Sequence, residues 1–368
     1  MMNRKIAVAS VLLAFVAAGS VAGSVFQDTT GLMLGPFKFS GNVAGYVNMT
    51  LDYCDIQAAL YAGDTATALE IYNFGKNSER GAAFRSFALW AEANHTGQIF
   101  YDALGLPSET YLTDVFSGAA GDGDATMAMA VIDAIKIKYM FHEWDTAVSR
   151  TASGNPDPSY GAPHNLDEAA AMYFAGTEGQ CQGASVELHA MNQAAMLKGM
   201  LYFGSSPSNT LMSLSFINAQ DATLTNNTAK IESAYATFLN QMQVLQLQRL
   251  YTDAALLSYS CKCGNTTISS ETILVSWMLT HQMLQMPQLT GMTVNHSTIE
   301  TIDFIIENTE ECLMSQAIEI ALKDVVMELG YEWADIFGNG IDYEIMDESM
   351  GLECGGETGW VLKGNRSN

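Results

Sequence analysis

Apolar residues recur at three- and four-residue steps through most of this chain, and short polar breaks separate the runs. From Ile56 to Tyr72, the positions Ile56, Leu60, Tyr61, Ala68, Leu69 and Tyr72 fall on such steps. Gly63-Asp64 divides that stretch into two helices, with Asp64 or Thr65 capping the second. Asp124 to Val148, Leu166 to Ala175, Ser185 to Tyr202, Thr228 to Tyr259, Glu271 to Gln285 and Ser297 to Leu329 read the same way. Between them lie Gly121-Asp122-Gly123, Thr151 to Pro163, Gly204 to Asn209, Gly264 to Ser269 and Pro287 to His296.

One segment competes with this pattern. Ala134-Ile-Lys-Ile-Lys-Tyr139 alternates as a strand does, but the longer register Val131, Ile135, Tyr139, His142, Thr146 is helical. With 48% apolar residues and only 7 prolines, the chain can bury a sizeable core. The expected fold is an all-α helical bundle. Ile135 to Asp145 can be laid on Leu245 to Ala255, which suggests two related helical halves, residues 24–220 and 221–337. In the second half Thr252 and Ala255 stand where the first has His142 and Asp145. A Gly-rich acidic tail, 338–368, follows.

Residues 1–23 have the layout of a secretory signal: basic Arg4 and Lys5, an apolar run from Ile6, and small Ala22, Gly23 and Ser24. The run is too short and too broken by small residues for a membrane anchor, and no comparable run follows. The expected product is an exported chain starting near Ser24, in a periplasmic space or at the cell surface. Asn-x-Ser/Thr sequons at Asn48, Asn94, Asn226, Asn265, Asn295 and Asn365 agree with that route. So do six cysteines, Cys54, Cys181, Cys261, Cys263, Cys312 and Cys354, an even number that favours disulfide staples. Their pairing is open, although Cys261 and Cys263 are expected to bond to distant partners rather than to each other.

The formal net charge is −24 before Arg4 and Lys5 are removed. Such a field repels nucleic acid and anionic lipid and concentrates cations, so nucleic-acid binding is set aside. Acidity alone would equally keep a secreted glycoprotein soluble.

The stretch Phe141 to Gly179 carries the residues that could do chemistry. His142/Asp145 and His164/Asp167 are two H-x-x-D pairs on either side of a Gly/Pro/Ser-rich loop. On a helix, i and i+3 share a face, which suits a metal or an imidazolium–carboxylate pair. Asn165 is expected to cap the second helix and Glu168 to close a capping box, which would explain Asp167 and Glu168 structurally and leave His164 unexplained. With Glu143, Tyr173 and Glu178, eight possible ligands lie close in sequence. Clustered carboxylates repel unless a cation lies between them. Carboxylate, phenolate and imidazole without thiolate point to iron or manganese. Gly75-Lys76-Asn77-Ser78-Glu79-Arg80, followed by Arg85, is suited either to a small anion or to an ordinary charged helix start. No Gly-x-Ser-x-Gly, His-Glu-x-x-His or phosphate-binding Gly-rich loop is present, so no enzyme is expected.

Glu70-Ile-Tyr-Asn-Phe-Gly-Lys-Asn-Ser78, Gly161-Ala-Pro-His-Asn-Leu-Asp-Glu-Ala169 and Phe174-Ala-Gly-Thr-Glu-Gly179 resemble the signature blocks of the algal low-iron-inducible periplasmic proteins. These are the Fea1-type iron-assimilation proteins, related to the phytotransferrins of marine phytoplankton. The likeness covers most of residues 45–330 and is most specific at Ala162-Pro-His-Asn-Leu-Asp-Glu168. It implies a secreted, helical protein that takes up Fe3+, with carbonate as a co-bound anion in the phytotransferrin branch. The implied ligands are His164, Asp167, Glu168 and Glu178, joined by His142 and Asp145, with the anion at Lys76 or Arg80. A cell-surface receptor or reductase would be the partner. Phe141-His-Glu-Trp-Asp145 is more polar than that family's pattern. Two other readings stand beside this one: a non-haem iron or manganese enzyme, and a metal-free surface glycoprotein.

Overall fold

The computed structural model describes residues 26–80, 83–92, 124–175, 205–262, 270–284 and 294–338, with residues 116, 195, 199 and 201–203. The signal-like segment, the tail beyond Gly338, Glu178, Cys181, Cys263, Cys354, Asn94, Asn265 and Asn365 lie outside the described residues, as does the side chain of Arg80.

Two short antiparallel pairs are the only strands among the described residues: β1 (Met33–Leu34) with β2 (Phe37–Lys38), and β3 (Glu79–Arg80) with β4 (Ala83–Phe84). Everything else regular is helical, as the apolar spacing requires. The first pair forms a strap whose Phe37 and Phe39 are buried and packed edge to face, 5.6 Å between centroids.

Helix α1 (Ala44–Tyr61) and helix α2 (Thr65–Phe74) are split where expected. Gly63 takes φ +72°, and Asp64 caps α2 by accepting from the Thr67 amide at 3.1 Å. After α3 (Phe87–Glu92), the long α4 (Asp124–Ala152) runs unbroken through Ala134–Tyr139, so that alternating stretch is helical. Its lysines tolerate this because Lys136 is tucked beside Asp133 and over the Tyr53 ring, 5.8 Å from its centroid.

Helix α5 (Ala162–Phe174) begins earlier than the capping argument expected. Pro163 sits in its first turn, where the missing N–H costs nothing, and Gly161 is the N-cap. Asn165 therefore lies inside the helix and does not cap it, and no capping box forms with Glu168.

Helix α6 (Pro207–Thr225) is not legible from apolar spacing. Met212, Phe216, Ala219 and Ala222 are buried while Leu211, Leu214 and Leu224 are exposed, so apolar residues occupy both faces. Helices α7 (Thr228–Lys262) and α8 (Ser270–Leu284) follow. The single helix expected over Ser297 to Leu329 is two, α9 (His296–Asn308) and α10 (Met314–Glu328), before a short α11 (Trp333–Phe337). No glycine or proline marks that break. It is held by cross-connections: the Ser258 hydroxyl donates to Glu311 O and accepts from the Ser315 amide, and Cys312 is bonded to Cys261 with their Cα atoms 5.2 Å apart. Cys54 is disulfide-bonded as well.

Two hydrophobic clusters result. The first gathers the strap, α1 to α6, the start of α7 and Leu279 and Met283 of α8, and the second the rest of α7 and α8 with α9 to α11. Helix α7 joins them, placing Phe238 and Met242 in the first and Leu250 and Leu257 in the second. No described helix is long and apolar enough to cross a membrane.

Candidate metal centre

In the first cluster, α4 packs along α5 and brings Glu143 against Glu168. Both carboxylates are buried, 3% and 5% exposed. The Asn165 amide nitrogen donates to Oε2 of Glu143, and also to Oε2 of Glu168 at 3.4 Å. Starting the helix at Ala162 is what turns Asn165 and Glu168 inward.

Three other elements close the cluster. From α1, the Tyr46 hydroxyl donates to Glu143 Oε1 at 3.3 Å and lies 3.5 Å from the Tyr139 hydroxyl of α4. From the segment before α3, Arg85 approaches Glu168 Oε1 at 3.5 Å and lays its guanidinium over the Tyr46 ring, 3.7 Å from the centroid. From α3, Trp90 stacks on Tyr139 at 4.4 Å and on Tyr46 at 5.7 Å. On α5 itself, His164 presents Nε2 to Glu168 Oε1 at 3.2 Å, one turn away. With a fifth of its side chain exposed, His164 stands at a solvent edge of the cluster.

The electrostatics follow from this crowding. Burial first, and then the adjacent Glu168 charge, push Glu143 well above the usual carboxylate range. Burial also presses Glu168 upward, but the hydrogen bond and charge of His164, with Glu143 and Arg85, outweigh it and its carboxyl ends lower than usual. Of the two, Glu143 is therefore the carboxyl that holds a proton more tightly. Burial and the same glutamates raise Tyr46 well above its ordinary value and push Tyr139 up to about 12. A cation between the carboxylates would lower Glu143, Tyr46 and Tyr139 and hold Glu168 lower still.

His142 is half-buried, its ring 5.5 Å from that of Tyr139, and burial lowers its pKa while Glu168 opposes. It lies at the edge of the same cluster. Asp145 is drawn elsewhere, its carboxylate hydrogen-bonded to the Tyr235 hydroxyl of α7. Asp167 is fully buried, and its Oδ2 accepts the amides of Ser40 and Gly41 at 2.8 and 2.7 Å, tying the strap to α5. Burial outweighs those bonds and raises it to about 7. Tyr173 is a core residue that donates to Asn209 at 2.7 Å.

The segment suited to an anion holds one, but it is the chain's own Asp52. The amides of Lys76 and Asn77 and the Ser78 hydroxyl all donate to that carboxylate. The Lys76 ammonium pairs with Asp55 at 2.8 Å. Among the described residues, Arg85 is the arginine or lysine paired with the glutamate cluster.

Among the described residues, no three or more His, Cys, Asp or Glu side chains stand ready-made around a common point. The cluster becomes a plausible ligand set only when the phenols of Tyr46 and Tyr139 are counted with Glu143, Glu168 and His164. Tyr139 lies four residues before Glu143, so the two share a helical face, and that spacing was the available signal for it. Tyr46 comes from a different helix, and its sequence context carried no such signal.

Of the sequons, Asn48 is 2% exposed and its carboxamide bonds both the amide and the carbonyl of Phe26. Asn226 is exposed in a left-handed turn, φ 50°. Asn295 is exposed and hydrogen-bonded to Glu328.

A family model described as low iron-inducible periplasmic protein, Fea1, matches residues 10–363. No curated protein and no solved structure matches the chain.

Proposed function

The chain belongs to the Fea1 family of low iron-inducible periplasmic proteins, and from that premise we propose that it captures ferric iron outside the cell at the Glu143/Glu168 cluster. The observation that carries this reading is a buried pair of carboxyls from two helices, bridged by the Asn165 amide and ringed by two phenols and an imidazole. Hard oxygen donors with one imidazole suit Fe3+ better than a soft or weakly charged ion. Glu143, Glu168 and His164 Nε2 would supply ligands, joined by the phenolates of Tyr46 and Tyr139 once their protons leave. His142 would assist from the edge.

Arg85 supports a co-bound anion such as carbonate. Its guanidinium already sits between Glu168 and Tyr46, and a planar fork recognises a planar oxyanion in two bonds. Capture would need no turnover, and the ion would pass to a receptor or reductase at the cell surface.

Equilibrium dialysis of the purified protein against ferric citrate, with and without bicarbonate, tests this by elemental analysis. The wild-type chain should retain iron in proportion to protein, and a Glu143→Gln, Glu168→Gln double variant should not. A wild-type protein that dialyses free of iron, or a double variant that keeps it, overturns the reading.

A further inference from the structure

His164 has two ring nitrogens with different surroundings. Nε2 faces the glutamate cluster, 3.2 Å from Glu168. Nδ1 is buried and has no hydrogen-bond partner. One turn along α5, Asp167 shows the complementary defect: Oδ2 accepts two backbone amides, while Oδ1 is buried with no partner. Both orphan atoms belong to side chains packed on Gly41. The Gly41 amide donates to Asp167 at 2.7 Å, and a Cβ on Gly41 would stand 3.4 Å from His164 Nδ1. The two side chains share a helical face and interact electrostatically.

A buried ring N–H without an acceptor, and a buried carboxylate oxygen without a donor, each cost free energy unless they meet. We infer that Asp167 is a positioning residue for the iron site and not a ligand: its Oδ1 and the His164 Nδ1, each unpaired as they stand, come together when the ion binds, so that Oδ1 accepts the Nδ1 proton and the Nε2 lone pair is left for the metal. This inference rests on the iron reading above. An imidazole that binds a metal through one nitrogen commonly gives the other N–H to a carboxylate, which fixes its tautomer and orientation. Asp167 Oδ2 is already engaged by the Ser40 and Gly41 amides, so a single oxygen is available for a new partner. As a positioning residue it keeps those bonds and uses its remaining oxygen.

The arrangement also accounts for glycine at position 41. A Cβ there would fall 2.3 Å from the Pro158 carbonyl oxygen, so only glycine lets the strap backbone reach Asp167 and His164 together.

The test is the tautomer of His164 in protein labelled with 15N-histidine and loaded with gallium(III), a diamagnetic stand-in for Fe3+. Two-bond proton–nitrogen correlation should show the proton on Nδ1 and the metal on Nε2. Asp167→Asn keeps an oxygen for the two backbone amides but turns an NH2 group toward Nδ1. In that variant the ring should switch to the Nε2–H form when metal-free, and iron affinity should fall roughly ten- to a hundredfold. A proton on Nε2 in the gallium-loaded wild type overturns the inference. So does an Asp167→Asn protein that loses affinity while its His164 tautomer is unchanged, which would mark Asp167 as a ligand. The wild-type spectrum decides the question even if the variant fails to fold. Failure of the iron reading looks different: the wild-type protein takes up neither gallium nor iron, or Glu143→Gln, Glu168→Gln binds as tightly as wild type.

Discussion

Asn165 bridges Glu143 on α4 and Glu168 on α5, its single amide nitrogen donating to an oxygen of each carboxyl. The contact holds two acidic groups together in a dry place, where burial and the neighbouring charge raise the pKa of Glu143. A carboxyl raised in the folded chain stabilises it fully below the ordinary carboxylate range, and that contribution is lost as pH rises through the folded value. For Asp167 the window runs from 3.8 to about 7, and for Asp133 from 3.8 to about 6, with Glu143 raised too. His142, lowered by burial from 6.5, opposes them over part of that range. The metal-free protein should therefore melt lower at pH 8 than at pH 5, by an amount on the order of a few kcal/mol. With iron bound the trend should reverse, because the ion favours the deprotonated carboxyls, which calorimetry of the two forms at both pH values would check.

Loss of protons from Glu143, Tyr46 and Tyr139 also sets the pH dependence of binding. Each proton displaced by the metal weakens affinity roughly tenfold per unit of acidification below that group's pKa. Isothermal titration should find ferric iron bound much more weakly at pH 5 than at pH 8. Equal affinity at the two values would rule out displacement of these protons.

The two phenols make a separate optical prediction. A ferric phenolate absorbs visible light by charge transfer from the ring oxygen, so the iron-loaded protein should be coloured. Tyr139→Phe and Tyr46→Phe should each weaken that band, and the double variant should abolish it. Colour that survives in the double variant would mean that neither phenol binds the metal. Trp90, stacked 4.4 Å from Tyr139, should report the same event by loss of its fluorescence.

Arg85 and Lys76 separate two positions for the anion. Arg85 touches Glu168 and Tyr46 and is only 13% exposed, while Lys76 pairs with Asp55 at a half-exposed site. Arg85→Gln should weaken iron binding by about 1–3 kcal/mol, the cost of leaving buried charged partners without their donor. It should also remove any dependence on bicarbonate. Lys76→Ala should change neither, because a surface pair contributes little. Titrations of both variants with and without bicarbonate would show it.

The helices were legible because burial on one or more faces imposes the three- and four-residue period, and α2, α4, α7 and α8 follow it, whereas α1, buried on nearly all sides, was read only in its last turns from Ile56. What stayed hidden had no local signal. The turn between α9 and α10 is fixed by Ser258 and Cys261, some fifty residues earlier in the chain. Glu143, His164 and Glu168 stood out as clustered ligand types, but Tyr46 reaches them only through the packing of α1. The H-x-x-D spacing did not show what Asp145 and Asp167 meet. Shared helical face does not say what lies opposite: Asp145 meets Tyr235, and Asp167 meets the strap. The signal for an anion at Gly75 to Ser78 was sound chemistry, satisfied by Asp52 from within the chain.

The sequons divide by the same kind of consideration, since a glycan needs an asparagine amide that can leave the protein surface. At Asn48 both carboxamide atoms are bound to the Phe26 backbone inside the fold, and this pairing anchors the start of the strap to α1. Asn226, exposed in its left-handed turn between α6 and α7, presents its side chain to solvent. When the chain is expressed through a eukaryotic secretory route, peptide mapping after enzymatic deglycosylation should find glycan at Asn226 and an unmodified Asn48. Asn48→Ala should then destabilise the protein by roughly 1–3 kcal/mol, because it leaves a buried amide and carbonyl without partners. Asn226→Gln should remove the glycan and leave the melting temperature within about 0.5 kcal/mol of equivalent stability. A glycan recovered from Asn48 in correctly folded, iron-binding protein would contradict the burial of that side chain and the anchoring of the strap.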